Sequence, residues 1–311
     1  MMKIDIKIHR VRKTIPLKTS YEEEAETQIA VVQIIHDGVT GQGEIVPFSY
    51  YNIDNSWETL SSWFNRLEFL EDFSPFQRTL LEKKLHELNI PNAIRAGIDM
   101  ALYDWLGKKS NLPIHEILGL SGNTYPDTSL TIGINSPEGA VSRLENWLKL
   151  GSTRLWKIKL GNPDGLDADK KMFEALYKKT KQTSSKIYVD ANGGWNQEES
   201  LHMAKWLRDF GVLFIEQPLA RGLEDKTQEL AKQSPLPIYV DESCLNTSDM
   251  KGFVSNGKIH YQGINIKLTK CGGITEALRM IVLARHHNLK IMLGCFSNTI
   301  LGNTAAAHIS S

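Results

Sequence analysis

Leu155-Trp156-Lys157-Ile158-Lys159 opens a series that continues as Ile187-Tyr188-Val189-Asp190, Leu213-Phe214-Ile215-Glu216, Ile238-Tyr239-Val240-Asp241 and Ile264-Asn265-Ile266-Lys267. Each member is a short apolar run, rich in β-branched and aromatic residues, that closes on a charge. Asp190, Glu216, Asp241 and Lys267 follow one another at intervals of 26, 25 and 26 positions. That interval suits one strand plus one helix, the repeating unit of a βα-barrel. Charges that end successive parallel strands ring one mouth of such a barrel, where enzymes of that architecture do their chemistry.

The same rhythm extends in both directions. Strands are predicted at 129–134, 154–160, 186–191, 212–217, 237–242, 262–268 and 290–296. Helical patterns lie between them at 137–150, 167–181, 197–209, 224–233, 247–255 and 273–287, with a last one from about Ile300. The first ~120 residues differ. Lys3–Val11 and Gln28–His36 alternate as antiparallel strands, Asp37-Gly38 marks a turn, and Thr40–Ile45 reads as a third strand. Helices are predicted at Trp57–Leu70, Pro75–Leu88 and Ala93–Lys108, where Ala93, Ile94, Gly97, Ile98, Ala101, Leu102 and Trp105 form an apolar face. A short helix at Pro113–Leu118 and a linker at Gly119–Asp127 follow. The fold expected is α/β: a modified (β/α) TIM-type barrel at 123–311 behind an N-terminal α+β domain at 1–122.

Composition narrows the class further. Thirty-six basic and 36 acidic residues cancel, so neither nucleic acid nor an acidic membrane surface is an expected partner. No stretch has the ~18 apolar residues of a membrane span, and the start of the chain alternates like a strand with no signal-peptide core. Cys244, Cys271 and Cys295 have no zinc spacing, and a reduced, cytoplasmic setting is expected.

With the strands counted from Ser129, Lys159 ends the second, Asp190, Glu216 and Asp241 the third to fifth, and Lys267 the sixth. In a ring of eight, the second and sixth strands are diametrically opposed. Three adjacent carboxylates flanked by two lysines suit a magnesium ion with positions left for substrate. A metal on a substrate carboxylate stabilises the enediolate formed when the neighbouring carbon loses its proton, and the lysines would work its two faces. A base must be neutral, and lysine's reference pKa is about 10.4. Lys157, two residues from Lys159 and on the same face of the strand, is expected to lower it. Any single Lys-x-Lys or strand-end carboxylate is most often a solvated face or a helix cap. Five in order at near-constant spacing are not.

These residues resemble a known family. Trp156-Lys157-Ile158-Lys159-Leu160, Val189-Asp190-Ala191-Asn192, Ile215-Glu216-Gln217-Pro218, Val240-Asp241-Glu242-Ser243 and Ile264-Asn265-Ile266-Lys267-Leu268 are similar to the enolase superfamily, muconate-lactonizing subgroup. So are Gly41-Gln42-Gly43-Glu44 and Ala93–Trp105 in the N-terminal "capping" domain. Asp241–Cys244, Lys267–Ile274 and Met292–Cys295 look most like dipeptide epimerases of the L-Ala-D/L-Glu type. The resemblance implies Mg2+ on Asp190, Glu216 and Asp241, an acid/base pair of Lys159 and Lys267, and a dipeptide substrate epimerised by 1,1-proton transfer. It places Thr131, Lys157, Asn192, Cys295 and Ser297 at the substrate, the last two sharing a face of the seventh strand, and it is compatible with a homo-oligomer. A small buried residue is an equal reading of Cys295. Gly272-Gly273 reads either as an anion site at a helix N-terminus or as a tight βα turn.

Two departures from the family stand out. Its dipeptide epimerases carry Asp-x-Asp on the eighth strand to hold the substrate ammonium. This sequence reaches Ser311 before such a motif, so the chain is expected to be truncated after its seventh strand and the start of the following helix. The loop from Lys18 to Gln28 holds Glu22, Glu23, Glu24 and Glu26 and no arginine, where relatives acting on L-Ala-Glu present one; a neutral or basic second residue is therefore expected. Tyr50, Tyr51 and Asn52 form a second loop expected to close over the mouth. The same mouth would also serve an o-succinylbenzoate synthase or a muconate-type cycloisomerase, and the reading from another class is an inactive, truncated metal-binding barrel.

Overall fold

The computed structural model describes residues 2–18, 23–50, 53–123, 125–253 and 259–310. β1 (Lys3–Lys18), β2 (Glu23–His36) and β3 (Val39–Ile45) form an antiparallel sheet in that order. Asp37, at φ 50°, and Gly38, at φ 72°, make the turn between β2 and β3. The first two strands are longer than alternation suggested. Lys18 pairs with Glu23 and Arg12 with Glu26, so most of the expected 18–28 loop is strand. Its tip, including Glu22, lies outside the described residues, as do Tyr51 and Asn52 of the second loop.

β4 (Phe48–Tyr50) and β5 (Ile53–Asn55) form a small hairpin, followed by α1 (Trp57–Phe64), a 3-10 turn at Glu68–Asp72, α2 (Arg78–Glu87), α3 (Asn92–Ser110) and α4 (Ile114–Ile117). The helix expected at Trp57–Leu70 is thus two pieces. α3 is the hinge between two hydrophobic clusters. Ala93, Ile94, Ile98, Ala101 and Leu102 pack with the N-terminal sheet, while Ala96, Met100 and Tyr103 join the second cluster. A helix buried on two sides needs apolar residues on both, and so shows a weak amphipathic signature. β3 crosses α3 so closely that a Cβ on Gly41 would strike the Ala101 carbonyl, and one on Gly43 the Gly97 carbonyl. These glycines are required by close backbone approach.

From Ser129 strands and helices alternate: β6 (Ser129–Ile132), α5 (Pro137–Leu150), β7 (Leu155–Lys159), α6 (Leu166–Thr180), β8 (Lys186–Asp190), α7 (Gln197–Arg208), β9 (Ile215–Glu216), α8 (Glu224–Gln233), β10 (Ile238–Val240), α9 (Thr247–Gly252), β11 (Gly263–Ile266), α10 (Leu268–Cys271), α11 (Ile274–His286), β12 (Lys290–Leu293) and α12 (Ile300–His308). β6 to β12 make one parallel seven-stranded sheet in sequence order. The strands end sooner than expected. β9 is only Ile215–Glu216, and Leu213 is exposed. β12 stops at Leu293, so Cys295 and Ser297 do not share a strand face; they lie in a bend after it. Within the curl of the sheet, Tyr188, Phe214 and Tyr239 stack at 4.5 and 4.0 Å between ring centroids and floor the space beneath the charged strand ends.

Candidate active site

Strand register brings the charges together. Lys159 lies opposite Asp190, and Asp190 opposite Glu216. Glu216 pairs with Tyr239, so Asp241 stands two residues further along the same alternating face. Asp190, Glu216 and Asp241 are fully buried, and one oxygen from each lies within 4.8 Å of the others.

Every one of these carboxylates has one oxygen fastened by a neighbour behind it. Asp190 Oδ1 accepts from the Asn192 backbone N–H at 2.9 Å, Glu216 Oε1 from Asn265 Nδ2 at 2.8 Å, and Asp241 Oδ1 from Lys270 Nζ at 2.7 Å. The other oxygens face lysine ammonium groups. Lys157 Nζ is 2.7 Å from both Asp190 Oδ2 and Glu216 Oε2, Lys159 Nζ 2.6 Å from Asp190 Oδ2, and Lys267 Nζ 2.7 Å from Asp241 Oδ2. Asp241 Oδ2 is buried and, although that ammonium is near, accepts no hydrogen bond of good geometry. Three hard oxygens, buried and held from behind, are a donor set that fits a magnesium ion.

The electrostatics follow from burial set against these pairs. Burial pushes Asp190 up, but Lys157 and Lys159 outweigh it and hold the carboxyl at about 2. Asp241 is likewise pushed up by burial and driven far below the usual range by Lys267 and Lys270. Glu216, buried beside Asp190, rises to about 7 despite Lys157. Burial disfavours the charged forms of Lys157 and Lys267, yet the facing carboxylates raise both. The facing carboxylates thus favour the charged form of Lys157.

The remaining expected residues fall as follows. Thr131 stands opposite Lys157 in the β6–β7 register. Asn192, in the left-handed region at φ 45°, accepts from Lys159 Nζ at 2.7 Å and donates to Glu242 Oε1 at 2.8 Å. Cys295 is accessible rather than a buried filler, although enough protein surrounds it that desolvation pushes its thiol up. The Gly272-Gly273 turn already has its anion. Asp99 of α3 accepts from Thr275 N at 2.9 Å and Thr275 Oγ1 at 2.7 Å, occupying the start of α11.

Reading the sequence by strand ends passed over the residues behind the carboxylates. Asn265 shares the alternating face of Lys267, a signal that was present. Lys270 is completely buried and also donates to the Asp241 and Asn265 carbonyls. Gln217, at φ 39°, accepts from the Asp241 backbone N–H at 2.9 Å. Nothing in local pattern marks either, because each acts across strands.

Residues 140–311 match the family described as Enolase C-terminal domain-like, and residues 3–119 the mandelate racemase / muconate lactonizing enzyme, N-terminal domain. The chain is 41% identical over 306 residues to a hydrophobic dipeptide epimerase from Flavobacteria bacterium (strain MS024-2A), covering 96% of this chain and 84% of that one. It superposes on the substrate-liganded L-Ala-D/L-Glu epimerase from Bacillus subtilis with a TM-score of 0.89 at 27% identity, covering 98% and 85% of the two chains. A dipeptide epimerase from Enterococcus faecalis V583, complexed with Mg and the dipeptide L-Leu-L-Tyr, gives 0.84 at 28% identity, again covering 98% and 85%.

Proposed function

The chain belongs to the mandelate racemase / muconate lactonizing enzyme family of the enolase superfamily, and we propose that it is a magnesium-dependent isomerase that epimerises the second residue of a dipeptide. One observation carries the reading: a row of three buried carboxylates, each fastened by one oxygen, with a lysine ammonium at either end. Asp190, Glu216 and Asp241 would hold the ion. When bound, magnesium supplies positive charge to the substrate carboxylate as the α-carbon gives up its proton, and disfavours the ammonium form of the base.

The protein groups do the rest. Asp190 and Asp241 hold Lys159 and Lys267 at opposite ends of the row. The neutral amine of one lysine takes the α-proton, and the electron pair moves into the substrate carboxylate. The ammonium of the other returns a proton to the opposite face. Lys157, tied to Asp190 and Glu216, adds fixed positive charge beside the developing anion. Thr131, Asn192, Cys295 and Ser297 are proposed to border the substrate.

The substrate proposed is a hydrophobic dipeptide, supported by the 41% identical relative and by a 18–28 segment without arginine. Residues 1–122 are assigned to a capping domain and 123–311 to the barrel, supported by the two hydrophobic clusters. Among the described residues no helix is long and apolar enough to cross a membrane, and three unpaired cysteines favour a reducing, cytoplasmic setting.

The test is α-proton exchange in D2O with magnesium and a panel of L-Ala-L-Xaa dipeptides, read by mass spectrometry. Deuterium uptake is expected from dipeptides with apolar second residues, with epimerisation lost in Lys159→Ala and Lys267→Ala. Uptake that survives both substitutions would refute the two-lysine mechanism, and preference for L-Ala-L-Glu would refute the substrate class.

A further inference from the structure

The two lysines are supported from different parts of the molecule. Lys159 leans on Asp190 and on Asn192, which is itself tied to Glu242, all within the strand–helix repeat. Lys267 pairs with Asp241, but its ammonium also lies 4.4 Å from the centroid of the Phe296 ring. Phe296 in turn stacks on Phe48 of β4, with centroids 4.7 Å apart and planes within 9°.

The bend that carries Phe296 is clamped by Glu44, the penultimate residue of β3. Glu44 is fully buried, and its carboxylate accepts from Asn298 Nδ2 at 2.7 Å, from the Thr299 backbone N–H at 3.1 Å to each oxygen, and from Thr299 Oγ1. Asn298 also accepts from the Phe296 backbone N–H at 3.0 Å, so the clamp reaches the ring through one residue. The carboxylate sits at the N-terminus of α12, a favourable place for a negative charge, and a Cβ on Gly302 would run into it.

We propose that Glu44 and the Phe48–Phe296 stack are positioning elements for Lys267 and not for Lys159, so that the N-terminal half governs one of the two proton transfers. The inference rests on the two-lysine reading above. A lysine side chain has four rotatable bonds and no directional fork. Without the ring, the ammonium keeps its ion pair with Asp241 but loses a contact that orients it, and lies less often against the substrate α-carbon.

The experiment measures α-proton exchange in D2O separately from L-Ala-L-Leu and L-Ala-D-Leu, with magnesium. Lys159→Ala and Lys267→Ala identify which epimer each lysine deprotonates. Phe296→Leu and Glu44→Gln are expected to slow exchange from the Lys267 epimer by roughly tenfold and to leave the other within about twofold. Phe48→Leu, at the far side of the stack, should act in the same direction and guards against misfolding of either variant. Equal slowing of both epimers, or of neither, would overturn the proposal. If the wild-type protein exchanges no dipeptide, the functional reading fails, and the positioning is then decided by NMR of lysine-labelled protein. The Lys267 ε-methylene resonance should carry an upfield ring-current shift that Phe296→Leu removes and Glu44→Gln reduces. A resonance unmoved by Glu44→Gln would sink the clamp.

Discussion

Charged residues on strands mean opposite things in the two halves of this molecule. In the β1–β2 ribbon, Arg12 and Glu26 face each other across the strands with side chains 85% and 45% exposed. In the seven-stranded sheet, Asp190, Glu216 and Asp241 are wholly buried and the lysines around them nearly so. An exposed pair trades hydration for a screened attraction and gains little. A buried set loses its hydration outright, and each charge depends on its neighbours to remain charged. The difference separates solvation from a site, and strand-end charge alone does not reveal it.

The comparison can be broken by substitution, and the largest effect is expected within the carboxylate row itself. Asp241→Asn should abolish detectable magnesium binding by calorimetry and slow proton exchange by roughly a thousandfold or more; tight magnesium binding in that variant would remove Asp241 from the ligand set. Lys270→Met comes next. It strips the fully buried Asp241 of the donor behind it, which should cost about 3–5 kcal/mol of stability in urea unfolding and weaken magnesium binding roughly 10–100-fold. A stability change near zero would mean that Lys270 is dispensable packing.

A smaller effect belongs to Asp99, at the junction of α3 and α11. Burial raises its carboxyl to about 6 from 3.8, against the opposing hydrogen bonds from Thr275. A raised acid contributes stability that is complete below the unfolded value and is lost as pH climbs through the folded one. The wild type should therefore lose on the order of 1–2 kcal/mol relative to Asp99→Asn between about pH 4 and 7, an amount tempered by the partial solvent contact of this group. Parallel stability–pH curves for the two proteins would contradict it. The smallest effect is expected for Glu26→Gln, within about 0.5 kcal/mol, because its partner is almost entirely in water. A loss of several kcal/mol there would erase the contrast between the halves.

Much of this was legible in the residues themselves. The repeat of apolar run plus charge located β7 to β11, because a parallel strand buried on both faces must be apolar until it reaches the mouth. Its boundaries ran long at Leu213, which is exposed and lies outside β9 although its N–H still donates to the Ile187 carbonyl at 2.9 Å. α3 was readable only on one face, since its second apolar face, Ala96, Met100 and Tyr103, serves the other cluster. The Gly272-Gly273 turn was ambiguous because the anion that settles it, Asp99, comes from a helix more than 170 positions earlier.

Sequence alone determined the alternating architecture, the three carboxylates and two lysines, and their order around the mouth. All of these follow from the period-two geometry of strands and the recurrence of one structural unit. Tertiary structure alone decided which oxygen of each carboxylate is fastened and by what, that Asp99 caps α11, and that Glu44 reaches across to the bend after β12. Those contacts join residues up to 255 positions apart, and no local periodicity encodes a hydrogen bond that exists only once two separately patterned halves have packed together.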